Sequence, residues 1–409
     1  MSVPATTFTP EEAVRGVAAS ERVRRAFRFF EEQAESINAD HARICSVPAP
    51  PFGERERAEA LRARLVECGL GDAYLDAVGN CVALRRGRAE RPLLVLSAHL
   101  DTVFPAGTDF EVKRDASGRM FAPGIADDGC GLAALVALAR ALDGCEIETE
   151  GSLLFVGTVG EEGEGDLRGV RHLLTAGEWA RSVDAFVSID GPGLERITNA
   201  ALASRRYRVR CRGAGGHSWG DFGVANPVHA LGRCVARLAA YPAPKRPRTT
   251  FNVGRIEGGT GVNVIPREAA LDVDLRSESA QELARLDAFF RRAAREAAED
   301  ENSARRTGTP PLELEVKLIG DRPGGVTAPE QALVSLAQEA TRSLGAKPYL
   351  DCSSTDSNIA ISMGLPAVTV GAGGSSANTH TLDEWYDPRG RDLGLKRALL
   401  VALGTVGLA

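Results

Sequence analysis

Leu93–Ala98, LLVLSA, is an unbroken run of apolar and small residues that leads straight into His99 and Asp101. A strand with no polar side cannot face water, so it belongs inside a sheet covered on both faces, as parallel strands of α/β proteins are. Three further runs behave alike: SLLFVGTV from Ser152, AFVSI from Ala185 and AVTV from Ala367. Each delivers polar chemistry at or just past its C-terminal end. Glu161, Glu162 and Glu164 follow the second run, Asp190 the third, and His380 lies in the small-residue loop after the fourth. Ligands of open α/β sheets bind at that edge. Capping or solvation explains one such carboxylate, but it would have to coincide in every strand to explain all of them.

In extended chain, residues i and i+2 share a side, so His99 and Asp101 point the same way and the carboxylate is placed to support the imidazole. Metal-binding histidines are held in that manner. Leu132, Leu135, Val136, Ala139 and Leu142 fit helical spacing, which predicts a helix beginning near Asp127 or Asp128. Taken alone, one of these aspartates is an N-cap and the other a dipole-favoured neighbour. Glu161, Glu162 and Glu164 crowd like charges together, at a repulsive cost that a cation or solvent must relieve.

Before the first buried run, the stretch from Pro10 to Arg43 predicts one or two amphipathic helices, in which His41 reads as a surface or capping residue. A further helix over ERERAEALRARLVECG ends at Gly69, and two short strands flank Val78–Asn80. From Ser204 to Gly320 the pattern changes to β-α-β-β-α-β, the order of a ferredoxin-like α+β domain. There Leu271, Val273 and Leu275 form an inner side, and Asp272, Asp274 and Arg276 project from the other. The expected organisation is a first domain made of residues 1–203 and 321–409, interrupted by an inserted domain at 204–320.

The length of 409 residues suits that division. A net charge of -6 supplies no basic field for nucleic acid. Eight cysteines without a CxxC pair argue against a zinc ribbon and suit reduced packing residues of a cytosolic protein. The N-terminal stretch MSVPATTFTPEEAVRG lacks the basic start and apolar core of a secretory signal, and Leu132–Leu142 is too short to span a bilayer. A cytoplasmic protein with no nucleic-acid or membrane partner is therefore expected.

Converging imidazole and carboxylate groups suit metal chemistry, and two metals need a carboxylate to bridge them. In order, SAHLDTV, PGIADDG, GTVGEEGEGDLRG, SIDG, GGHSWGDFG, GGTGVNVIP, DLRSE, STDSN and NTHTLDEW resemble the M20 family of co-catalytic zinc peptidases and deacylases, over nearly the whole chain. The resemblance implies a zinc-peptidase-type mixed sheet flanked by helices, with the insert as lid and dimerisation domain. It implies two divalent ions, zinc first and cobalt or manganese as alternatives. His99 and Asp190 would share one ion and Glu162 and His380 the other, with Asp127 bridging, often before a cis peptide. Asp101 would orient His99, and Glu161 would be the general base. His217 would stabilise an oxyanion in the partner subunit of a homodimer, Asn263 would bind the same region of substrate, and Arg276 would grip a substrate carboxylate. Asp356 either lines the site or caps a helix. Where many members have DDK this chain has DDG, with Cys130 next and no need of it as a ligand.

The expected function is amide hydrolysis in a di- or tripeptide by metal-activated water. An N-acyl-amino-acid deacylase or carboxypeptidase-like hydrolase uses the same machinery. A catalytically silent binding or scaffold protein is the alternative of another class, and it would be expected to lose ligands or base.

Overall fold

The computed structural model describes residues 9–409; the earlier residues of the stretch read for a leader lie outside them. The chain divides into two units, one formed by residues up to Ala201 together with Val326–Ala409, the other by Leu202–Gly325.

In the first unit, strands Ser152–Thr158, Leu93–His99, Ala185–Ile189 and Ala367–Val370 lie side by side in that order, each parallel to the next. Neighbours that run the same way end on the same edge, so the polar residues beyond all of them share that edge. Cys81–Arg85 extends the sheet antiparallel to Ser152–Thr158, and Arg196–Ala201 extends the other side antiparallel to Ala367–Val370. The sheet is therefore mixed, with a parallel centre.

Two cores explain why the central runs have no polar side. Leu94, Leu96 and Ala98 pack with Leu132, Leu135 and Leu399, while Leu93 and Val95 on the opposite face pack with Val170, Leu173 and Ile359. Full burial of one such side chain stabilises by about 1.5–3 kcal/mol, so this alternation fixes the strand between its helical layers. The helix Gly129–Gly144 is capped by Asp128, whose carboxylate accepts from the Gly131 N–H at 3.1 Å. A Cβ on Gly131 would stand 2.3 Å from the Ile189 carbonyl oxygen, so glycine lets the capped helix start close against a site-bearing strand.

Three helices, Pro10–Ala19, Glu21–Glu32 and Ala34–Cys45, stand where one or two were expected. Ser20 and Gln33 each close one helix and open the next, and the apolar spacing alone does not reveal these breaks. His41 is not at the surface. It is fully buried, with partners at Ile125 and Arg391 that sequence spacing does not reveal. A small antiparallel sheet orders Ser375–Ala377, Trp385–Asp387, Met120–Phe121 and Lys113–Arg114. It joins the hairpin that carries His380 to the chain leading into Asp127.

In the second unit, Thr249–Gly258, Glu268–Ser277, Ala203–Arg212 and Glu313–Arg322 form an antiparallel sheet in that order. Helices Pro227–Ala239 and Ala280–Ala304 pack Leu231, Leu238, Leu286 and Phe290 onto Tyr207, Val209, Leu271, Val273 and Leu275. This is the ferredoxin-like arrangement. The other face carries ion pairs, Arg208 to Asp272 at 2.8 Å and Arg206 to Asp274 at 3.2 Å. Among the described residues, no helix is long and apolar enough to cross a membrane.

Candidate metal centre

His99 ends its strand with a side chain only 2% exposed. Its Nδ1 lies 3.0 Å from the backbone carbonyl of Asp101. A carbonyl can only accept, so Nδ1 carries the proton and Nε2 is left to face the site. That nitrogen lies 2.9 Å from Asp127 Oδ1. The other Asp127 oxygen, Oδ2, lies 3.0 Å from His380 Nε2, which is also 2.9 Å from Glu162 Oε1. One carboxylate thus addresses two imidazoles through separate oxygens. Donor atoms of His99, Asp127 and Glu162 all lie within 4.8 Å of one another. The peptide between Asp127 and Asp128 is cis.

Asp190 follows the next strand, with its N–H bonded to the Val370 carbonyl at 3.0 Å. Burial, then the charge on Asp127, pushes its carboxyl up to about 7, against the pull of His99. Burial opposes a charge on His99, but the hydrogen bond it donates to Asp127 and the charges of Asp128, Asp127 and Asp101 outweigh it and hold the imidazole well above its ordinary value. Hydrogen bonds to Asp127 and Glu162 raise His380 to about 10. Nitrogen and oxygen donors that would otherwise be packed as compensating charges fit divalent cations, zinc among them.

Asp101 is placed differently from the expectation that its carboxylate orients His99. Its Oδ1 is 3.7 Å from His99 Nδ1, whereas its two oxygens accept the N–H groups of Glu161 at 2.9 Å and Glu162 at 2.7 Å. The histidine is held by the backbone and the glutamate loop by the side chain. Burial pushes this carboxyl up to about 6. Glu161 is 5% exposed and sits beside Glu162 on that tethered loop.

Two further carboxylates hold the remaining loops: Asp128, which the sequence offered only as one of a pair with Asp127, and Glu384, which it did not mark. Asp128 accepts from His99 N–H at 3.1 Å and Gly191 N–H at 3.2 Å besides capping its helix. Glu384 accepts backbone N–H groups from the loop that ends at Asp127. Burial raises its carboxyl to about 7. The available signals were slight: a second aspartate after Asp127, and a glutamate in the turn that begins at His380. Asp356 is buried and receives the Thr158 hydroxyl, within the same unit.

The other expected site residues lie in the second unit. His217 is exposed and pairs with Val264 across a two-stranded ribbon, which brings Asn263 beside it in the chain. The N–H groups of Trp219 and Gly220 donate to His217 Nδ1 at 3.2 and 3.3 Å. Nδ1 is then the acceptor, and a neutral ring carries its proton on Nε2. Arg276 projects from the helix-free face, with Nε bonded to Asp274 Oδ2 at 2.6 Å.

A model of peptidase family M20/M25/M40 matches residues 95–402. A succinyl-diaminopimelate desuccinylase of Leptothrix cholodnii is 30% identical over 226 residues, covering 51% of this chain and 57% of that protein. The match thus spans little more than half the length of that curated relative. A tripeptidase from Staphylococcus aureus is similar in structure with a TM-score of 0.73 and 22% identity, over 90% of this chain and 97% of that one. The Bacillus subtilis protein YXEP, described as a dinuclear metal-binding peptidase, gives a TM-score of 0.66 and 19% identity over 92% and 99%. These structural likenesses show a shared fold. With the family model covering most of the sheet, the imidazole and carboxylate cluster and the inserted unit alike, the chain belongs to peptidase family M20/M25/M40.

Proposed function

We propose that the chain is an amide hydrolase acting on di- or tripeptides, with two divalent cations held by His99, Asp127, Glu162, Asp190 and His380. The observation that carries this is Asp127, whose two oxygens face different imidazoles, the disposition of a group shared by two ions. Zinc fits the mixed donor set first, and cobalt or manganese fits it too. When bound, the ions would polarise the amide carbonyl and make a water between them more acidic.

The chain's own groups do the rest. Glu161, buried beside the ligand Glu162, takes the proton of the attacking water and returns it to the leaving nitrogen. His217 offers an Nε2–H donor to the oxyanion, in the site of a partner subunit, which makes a homodimer through the inserted domain part of the proposal. Asn263 binds the same region of substrate. Arg276 has its Nε engaged by Asp274, and its two terminal nitrogens form the fork for a substrate carboxylate. Eight free thiols support a reducing, cytoplasmic setting.

Replacing Glu161 with glutamine tests the base. Turnover should fall by about 10²–10⁴ while the cation content found by elemental analysis stays that of the wild type. Retained turnover would falsify the role. A second reading, an N-acyl-amino-acid deacylase, is favoured by the similarity to a desuccinylase. Dipeptides, tripeptides and N-succinyl amino acids assayed side by side with added zinc, cobalt or manganese separate the two. Dependence on a free amine selects the peptidase, and preference for the acylated substrates selects the deacylase. Hydrolysis of neither class with any of these cations would leave a binding protein instead.

A further inference from the structure

Two loops distant in sequence supply the groups that meet at Asp127. Residues 124–127 carry Asp127 itself, and the turn from Asn378 to Glu384 carries His380. The turn is internally bonded, Thr381 N–H to Asn378 O at 3.1 Å and Glu384 N–H to Thr381 O at 3.2 Å, so it is held together as a unit. The His380 side chain is 51% exposed, and packing alone does not fix it. Its bonds to Asp127 and Glu162 use the lone pairs that cations would take. Something else must set the spacing once the site is loaded.

One buried side chain touches both loops. Glu384 is 0% exposed, and its Oε1 accepts from the N–H groups of Ala126 at 2.7 Å and Asp127 at 3.1 Å. Its Oε2 accepts from Gly124 N–H at 3.2 Å and His380 N–H at 3.4 Å. These bonds use backbone donors and compete with no cation. We infer that Glu384 is a positioning residue for the cation pair, setting the backbones of the Asp127 and His380 loops and so the distance between their side chains. This rests on the reading of those side chains as cation ligands.

Four N–H donors converge on two oxygens, two on each. An amide cannot replace the carboxylate, because whichever way it turns its NH₂ group meets a pair of N–H donors. The other side of the Asp127 loop is held independently, since the Ile125 carbonyl lies 2.6 Å from His41 Nε2. The relation of that loop to the His380 turn is what Glu384 adds.

The test is Glu384→Gln, titrated calorimetrically with zinc and with cobalt after chelator treatment, beside the wild type and a control, Glu301→Gln. Glu301 is also a buried carboxylate on a backbone N–H, that of Asn226 at 2.9 Å in the second unit. Glu384→Gln should bind at least one of the two cations about 10–100-fold more weakly, the usual effect of removing a group that orients a ligand. Glu301→Gln should bind as the wild type does. If Glu384→Gln binds both cations as the wild type does, the positioning role is overturned and the ligand assignment stands. If the wild type binds no cation, the ligand assignment falls and the inference with it. Should Glu384→Gln not fold, Glu384→Asp is titrated instead. Its shorter reach should weaken binding likewise, and unchanged affinity there overturns the role.

Discussion

Asp101 and Asp127 both lie near His99, yet they act through different atoms. Asp127 meets the imidazole with its carboxylate, whereas Asp101 meets it with its backbone carbonyl and spends both carboxylate oxygens on Glu161 and Glu162. Asp101→Asn should therefore leave the His99 tautomer in place and loosen the glutamate loop. One buried N–H loses its acceptor, at a cost of about 1–3 kcal/mol in stability. In steady-state assays kcat should fall about 10–100-fold with cation content retained. A changed His99 tautomer in the variant, read by nitrogen NMR of the ring, would show that the carboxylate serves His99 after all. Much of this was legible residue by residue, because a histidine or acid beyond an apolar run is conspicuous. The groups that hold the loops were not. Asp128 was read only as one of a pair with Asp127, cap or first-turn neighbour, and Glu384 acts on Asp127 from 257 residues away, a relation no local spacing contains.

At the scale of elements, the parallel centre of the sheet was readable because two-sided burial keeps charged residues out of a strand and leaves only small polar ones such as Ser97, Ser188 and Thr369. Strand order was not, since Ser152–Thr158 enters between Cys81–Arg85 and Leu93–His99 only through long-range pairing. The first helices show the same limit through His41. This residue joins helix Ala34–Cys45 to helix Arg391–Val406, with Arg391 Nη2 donating to Nδ1 at 2.6 Å and Nε2–H donating to the Ile125 carbonyl. Protonating Nδ1 would set its proton against the guanidinium. Burial first, and Arg391 second, hold the imidazole well below its ordinary value of 6.5. The folded chain keeps this ring neutral while the unfolded chain binds a proton below that value. Stability from this group is thus present above pH 6.5 and lost as pH falls toward the depressed folded value. In urea unfolding of the cation-free protein, His41→Gln should remove up to about 1.4 kcal/mol per pH unit from the acid-side slope. An unchanged slope would mean that the ring is charged in the fold.

For the whole molecule, the decisive matter is that the residues proposed for the chemistry are divided between two units. The first holds His99, Asp127, Glu161, Glu162, Asp190 and His380, and the second holds His217, Asn263 and Arg276. Each unit has its own core, so a substitution at exposed His217 leaves both folds intact. If His217 serves the partner's site, a chain lacking only the base and a chain lacking only that histidine are complementary. Glu161→Gln and His217→Ala should each be nearly inactive alone. Mixed in equal amounts under conditions that allow subunit exchange, half of the dimers are hybrids. Each hybrid has one site with an intact Glu161 and an intact His217 from its neighbour. Activity should then rise to about a quarter of the wild-type value, as two-fold symmetry dictates. If the histidine serves its own chain, no hybrid contains a complete site and the mixture stays as inactive as its parts. Sedimentation of the mixture shows whether dimers are present, so a silent result with dimers present assigns the histidine to its own chain, and a silent result with monomers removes the dimer from the mechanism.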